Sequence, residues 1–304
     1  MGDIKLFRLD NEKVTELPGT SVALEKSLQE RIEKNLETFM GVRFLASEYS
    51  TGPVHGGRID TLGIDENGSP VIIEYKRATN ENVINQGLFY LDWLMDHQGE
   101  FKWLVQEKYS ELVGTIEWSA PRLICIAGGF TKYDLNAVSQ INRIIELHRY
   151  VRYGEDLLLL DWVNAAAVAS KASSSKSLAV SPGEKSYKGF VEYLAQADQE
   201  LKDLYEQLCE ELRALGDDVQ EKQLLYYRAF KRLKNFACVE VKPTGQKILV
   251  YVKGNPDELD LEEGFSRDVR TIGHFGTGEV ELTIASTSDL QKALPLIEQS
   301  YAAS

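Results

Sequence analysis

Residues 56–77 read GGRIDTLGIDENGSPVIIEYKR, and this stretch decides the fold. Residues 57–65 put Ile59, Thr61 and Gly63 on one face and Arg58, Asp60 and Leu62 on the other, the period-two pattern of a strand. Glu66-Asn67-Gly68 supplies the turn, because Asn-Gly tolerates positive φ. Residues 69–77 form the return strand, rich in β-branched residues. On it Glu74 and Lys76 share one face while Ile73 and Tyr75 take the other. A tight hairpin centred on Asn67-Gly68 puts Asp60 near position 75, within reach of Glu74 and Lys76.

Two carboxylates at neighbouring strand ends make a hard-oxygen site. Such a site suits Mg2+ or Mn2+, which keep water and substrate phosphate in the positions that protein does not fill. A lysine two residues from the second carboxylate adds a fixed positive charge for an attacking oxygen. Together these groups suit in-line attack on phosphorus.

Outward from the hairpin, residues 42–49 read as a further strand. Before it, Leu24, Leu28, Ile32, Leu36 and Phe39 recur at three- and four-residue steps, which predicts one helix capped by Thr20 or Ser21. Residues 5–9 and 13–17 flank Asp10-Asn11-Glu12 as a hairpin at the start of the chain. After the hairpin, helices are expected over residues 80–97 and 99–109. Residues 122–127 (RLICIA) read as a buried strand, residues 134–150 as a helix, and residues 157–162 as a last strand. The expectation is an α/β domain over residues 1–167, a mixed sheet with helices on both faces.

Gly56-Gly57-Arg58-Ile59-Asp60 and Ile72-Ile73-Glu74-Tyr75-Lys76-Arg77 resemble the PD-(D/E)XK nuclease core, a restriction-endonuclease-like fold. Within that superfamily the chain is most similar to the mismatch and flap DNA endonucleases called NucS, over about residues 22–100. The resemblance implies an Mg2+- or Mn2+-dependent DNA endonuclease of repair or defence. Asp60 and Glu74 would be metal ligands and Lys76 the residue that positions the nucleophile. The family's helical glutamate ligand matches Glu25, with Glu30 as the fallback and Asn35 following at the right distance. Its Gln and Tyr, four apart on the next helix, match Gln86 and Tyr90. The spacing from Lys76 to Gln86 departs by one residue. The resemblance does not extend to the N-terminal DNA-binding and dimerisation domain of those enzymes, which leaves mismatch specificity unsupported. Members of the group commonly dimerise, but no interface is legible in this chain. A non-catalytic nucleic-acid-binding or adaptor protein retaining a nuclease fold is the alternative.

Residues 168–186, rich in Ala, Ser and Lys, read as a linker. The expected α+β domain over residues 187–304 begins with a broken helix over residues 187–214. A helical or mixed stretch (220–233), strands at 237–242, 247–253 and 279–284, and a closing helix at 288–302 follow. Its glycine-rich stretch His274-Phe275-Gly276-Thr277-Gly278 and its closing Ser300-Tyr301 resemble a small domain of unknown function that often follows predicted nucleases. Between Arg228 and Lys253 seven cations face one acid, Glu240. Arg228, Lys231, Arg232 and Lys234, with interleaved aromatics, are therefore candidate nucleic-acid contacts, as are Arg58, Arg77 and His55 in the first domain.

The whole chain is acidic, with 34 Lys and Arg against 47 Asp and Glu and a net charge of −13. That argues against a protein that coats DNA; it is compatible with an enzyme that grips nucleic acid in one basic groove and with a regulated protein whose acidic surface limits promiscuous binding. No apolar run is long enough to span a bilayer, and Met1–Lys5 lacks the pattern of a signal peptide. Three widely spaced cysteines, Cys125, Cys209 and Cys238, are expected as buried thiols of a cytoplasmic protein. Gly128-Gly129 has no Gly-Lys-Ser/Thr after it and excludes a phosphate-binding loop.

Overall fold

Strands β1 (Leu6–Asp10) and β2 (Lys13–Leu17) pair antiparallel, and a short strand β3 (Gly19–Thr20) follows them. A computed structural model describes these and the rest of residues 4–10, 13–20, 25–76, 83–119, 121–164 and 189–304; of Glu25 only the backbone is described. The chain divides into two units, Met1–Val168 and Ala169–Ser304. The expected linker lies outside the described residues.

The helix expected over residues 20–39 is two helices, α1 (Glu25–Glu33) and α2 (Leu36–Met40), broken at Lys34-Asn35. Of the expected apolar stripe, Leu28, Ile32 and Leu36 are buried and Phe39 is half-buried beside the buried Met40, while Leu24 lies outside the described residues. Gly41 ends α2 in a left-handed conformation. Then come β4 (Val42–Ser50), the single-turn helix α3 (Gly52–His55), β5 (Arg58–Asp65) and β6 (Pro70–Lys76). Helices α4 (Val83–Asp96) and α5 (Gln98–Lys108) lead to β7 (Arg122–Ala127), α6 (Lys132–Gln140), β8 (Ile144–Tyr153) and β9 (Leu157–Trp162).

The seven strands β3 to β9 form one mixed sheet in the order β3-β8-β7-β6-β5-β4, with β9 also paired to β8. β4, β5 and β6 run antiparallel as a meander, and β6, β7 and β8 run parallel. A sheet with parallel strands needs both faces covered. Here α4 buries Val83, Ile84, Leu91, Trp93 and Leu94 against Leu62, Ile72, Leu123 and Cys125, and α1 lies on β5 and β6.

A second helix expected in this unit is also different. Residues 134–150 are not one helix. Thr131 and Asp134 form a capping box that starts α6, which stops at Gln140, and Ile144–Tyr153 extends as β8. Ile144, Ile145 and His148 continue a helical stripe from Ile141, but they also fit a strand buried on both faces. Pairing of Ile145 and Leu147 with Leu123 and Cys125 decides between the two.

The hairpin between β5 and β6 also differs in detail. Thr61 pairs with Ile73 and Ile64 with Pro70, so the loop is Glu66-Asn67-Gly68 rather than two residues. Gly68 has φ 77° and closes the turn, the usual form of a three-residue loop. A Cβ there would collide with the carbonyl oxygen of Thr115. Asp65 holds the turn by accepting the amides of Asn67 at 2.9 Å and Ser69 at 2.8 Å. The consequence is a one-residue shift in which Asp60 falls opposite Glu74, not position 75.

The second unit starts with α7 (Phe190–Gln196) and α8 (Gln199–Ala214), the broken helix expected there. The stretch over residues 220–233, expected as helical or mixed, is a strand hairpin, β10 (Gln220–Gln223) and β11 (Arg228–Lys231). Pairing of Arg228 and Ala229 with Val239 and Cys238 is the tertiary reason. With β12 (Asn235–Lys242), β13 (Lys247–Val252), β14 (Ser266–Asp268) and β15 (Val280–Ile284) they form an antiparallel sheet in the order β10-β11-β12-β13-β15-β14. Helices α7, α8 and the closing α9 (Thr287–Ala302) bury one face of it over Phe236, Val239, Val250 and Leu282. Cys125, Cys209 and Cys238 are buried thiols. No described helix is long and apolar enough to cross a membrane.

Candidate active site

The first carboxylate lies near the start of β5, and the second lies near the end of β6, at the carboxyl end of the parallel strands. Crevices outside that end are where open α/β sheets bind ligands. Asp60 and Glu74 are tied reciprocally: the Asp60 amide donates to Glu74 Oε1 at 3.2 Å, and the Tyr75 amide donates to Asp60 Oδ2 at 3.0 Å. Helix α1 holds the same point from the opposite face of the sheet. Gln29 Nε2 donates to the Asp60 carbonyl at 2.8 Å, and Thr61 donates to Glu33 at 2.6 Å.

Glu74 is fully buried, and its Oε2 has no hydrogen-bond partner among the described residues. Burial pushes its pKa up to about 9; Asp60 and Glu48 add to the rise, while Lys76 and the Asp60 amide oppose it. A buried carboxyl group with an orphaned oxygen beside a second carboxylate is costly without a cation. That arrangement fits a divalent ion. Among the described residues no three His, Cys, Asp or Glu side chains are gathered tightly enough to hold one alone. An Mg2+ site that leaves positions for water and phosphate does not require three.

An open cleft above the pair is lined by Glu48, Ser50, Arg58, Asp60, Gln86 and Tyr90, with the glycines of the β4–β5 connection. Gln86 and Tyr90, one turn apart on α4, touch: Gln86 Nε2 donates to the Tyr90 hydroxyl at 3.2 Å, and the Arg58 amide donates to it at 3.1 Å. With two bonds accepted, the hydroxyl keeps its hydrogen for a donor contact in the cleft. Gly57 lets the ring approach, since a Cβ there would sit 2.5 Å from Tyr90 Cε1. Thr51 clamps the same connection, donating to the Gly57 carbonyl and accepting its amide. Gly57→Ala is expected to displace the Tyr90 ring and destabilise the protein by about 1–3 kcal/mol, the usual range for overpacking. Urea unfolding checks this, and an unchanged midpoint would show that Tyr90 yields freely.

The other sequence candidates fall as follows. Glu25 opens α1, with its side chain outside the description, and Arg77 lies outside the described residues; Glu30 is exposed. Arg58 is exposed at the cleft and 3.6 Å from Glu48. The ring of His55 packs 5.2 Å from Phe89 and 5.7 Å from His97. In the second unit, Arg228 pairs with Glu221 and lies over the rings of Phe190 and Tyr205. Arg232 pairs with Asp218 at 2.6 Å over the ring of Tyr301. Lys231 is buried, and Lys234 is half-buried. Sequence reading missed Glu48, Gln29 and Glu33. The strand pattern flagged none of them, although Gln29 and Glu33 sit four apart on one helix face.

The first unit is thus an α/β fold, a mixed sheet flanked by helices, joined in sequence to a smaller α+β unit. Residues 191–304 match the family model described as "Domain of unknown function (DUF5655)". A protein of Haemophilus influenzae, described as "Uncharacterized protein", is 29% identical over 304 residues, covering 98% of this chain and 99% of its own. The crystal structure of a repair endonuclease from Pyrococcus abyssi is similar at a TM-score of 0.28 and 21% identity, over 43% of this chain and 50% of that one. The structure of an EndoMS–dsDNA complex is similar at a TM-score of 0.25 and 20% identity, over 47% and 49%. The chain spans about half the length of these two solved structures.

Proposed function

We propose that this chain is a metal-dependent endonuclease that hydrolyses phosphodiester bonds in DNA, in repair or defence. The observation that carries the reading is the meeting of Asp60 and Glu74, with Lys76 close enough for its charge to act on Glu74. Asp60 and Glu74 would hold Mg2+ or Mn2+, with Glu25 a further ligand by resemblance. When bound, such an ion neutralises developing charge on the phosphoryl group.

The chain's own residues supply the rest. Lys76, on the face of Glu74, orients the attacking oxygen and stabilises its charge. Arg58, exposed at the cleft, takes a phosphate of the strand through its guanidinium fork, and Arg77 is proposed for the same task. The Tyr90 hydroxyl, held by Gln86 and the Arg58 amide, offers its hydrogen to a phosphate oxygen. This reading places strand binding in the cleft and does not draw on Arg228, Lys231, Arg232 or Lys234. The preference for DNA comes from the resemblance of the motif residues to the NucS group.

The test compares wild type with Asp60→Asn on single-stranded, duplex, flap and mismatched DNA in Mn2+. The substitution keeps an acceptor for the Tyr75 amide but removes the charge. Cleavage is expected to fall by about 10²-fold or more, the scale on which one preorganised electrostatic group acts. Equal cleavage by the two proteins, or none by wild type on any substrate, sinks the reading.

A further inference from the structure

Three carboxylates lie in one row across three adjacent strands. Ser47 pairs with Thr61 and Tyr49 with Ile59, so Glu48 of β4 stands opposite Asp60 of β5. Continuing the pairing of Thr61 with Ile73 sets Asp60 opposite Glu74 of β6. Carboxylates directly opposite in a sheet repel one another wherever both are ionised. Glu48 is also one of two described non-glycine residues with positive φ, at 51°, a conformation that carries a cost outside glycine. Glu48 lines the same cleft as Asp60, and its charge acts on Glu74. A row of like charges is not by itself a site. The independent sign is Glu74 Oε2, fully buried and without a hydrogen-bond partner among the described residues.

We propose that Glu48 supplies a further carboxylate to the cation site of Asp60 and Glu74, exchanging its present partner Arg58 for the ion. The inference rests on the nuclease reading above. Glu48 lies 3.6 Å from the guanidinium of Arg58 and is about half exposed, so the side chain has room to turn. The exchange gives the Arg58–Glu48 pair a purpose: it parks both groups until the ion arrives, and it then frees Arg58 for a phosphate. The chemistry is that of a hard divalent cation taking oxygen ligands, with the geometry completed by water.

Titration of the full chain with Mn2+ alone, read by calorimetry and by the shift in unfolding temperature, tests this without reference to cleavage. Wild type is expected to bind, and Glu48→Gln to bind at least about tenfold more weakly, the effect that even outer partners of a metal ligand reach. Arg58→Ala is expected to bind Mn2+ as well as wild type or better, because it releases Glu48. Circular dichroism of each variant reports folding, and Glu48→Asp, with a shorter carboxylate, is expected to fall between Glu48→Gln and wild type. Equal affinity of Glu48→Gln and wild type overturns the inference and leaves the nuclease reading standing. So does an Arg58→Ala variant weakened as much as Glu48→Gln, which would show that Glu48 acts only through Arg58. Absence of Mn2+ binding by wild type overturns the inference together with the metal-dependent reading.

Discussion

Glu74→Gln is expected to make the metal-free protein more stable at pH 8 while removing the Mn2+ binding and the cleavage that we propose for this site. The reason is the burial of an ionisable group. Glu74 has no exposed surface, and burial, reinforced by Asp60, raises its pKa from the usual 4.5 to about 9. The folded state therefore keeps a proton that the unfolded chain has lost between those values. A group raised in this way stabilises most below the unfolded value, and that stability drains away as pH rises toward 9. The slope is at most about 1.4 kcal/mol per pH unit. Gln carries no such proton, so the variant should lose less stability from pH 5 to pH 8. Urea unfolding at several pH values in EDTA measures both proteins, and their difference isolates Glu74 from every other titrating group. Parallel pH profiles would show that Glu74 is hydrated or already ionised. Mn2+ should reverse the order, because its binding displaces the proton and stabilises only the wild type.

Arg122→Met is expected to cost about 3–5 kcal/mol of stability, the range for removing one partner of a buried ion pair. Arg122 is buried, and its guanidinium reaches Asp65 at 3.1 Å and both oxygens of Glu146 at 2.7 and 3.0 Å. Both acids are buried as well, so the substitution strands two carboxylates where water cannot replace the arginine. The loss should be partly recovered when Asp65→Asn and Glu146→Gln accompany it, since neutral partners no longer need a counter-charge. The effect also reaches the site. Asp65 closes the 65–69 turn, and that turn sets the register in which Asp60 meets Glu74. Weaker Mn2+ binding in whatever fraction of Arg122→Met stays folded would connect the two ends of the hairpin. A change below about 1 kcal/mol would mean that water reaches the cluster.

How far the site was legible follows from which interactions are local. The alternation of residues 57–65 and 69–77 is a local property, and it put Glu74 and Lys76 on one face. The turn was legible only to within one residue, because a two-residue and a three-residue loop share the Asn-Gly signal. That single residue moves Asp60 from opposite Tyr75 to opposite Glu74. Gln86 and Tyr90 could be paired by helical spacing, but the contact of Tyr90 with the Arg58 amide joins residues 32 apart in sequence. Glu48 was invisible because its meaning lies in its neighbour across β4 and β5. Residues 144–150 are strand rather than helix for the same reason: a partner strand more than twenty residues away overrides a pattern that suits either structure.

By itself the sequence determined the strand–turn–strand unit at residues 58–76, the identity of its carboxylates and lysine, the apolar stripe of the helices before and after it, and the acidic balance of the whole. These depend on side-chain period, turn chemistry and charge, all of which act between near neighbours. Only the tertiary structure decided that Glu48, Asp60 and Glu74 form one row, that Glu74 is buried with an unmatched oxygen, and that Arg228 and Arg232 are paired with carboxylates. Those facts arise from sheet register, burial and long-range ion pairing, which exist only once distant strands and helices have come together.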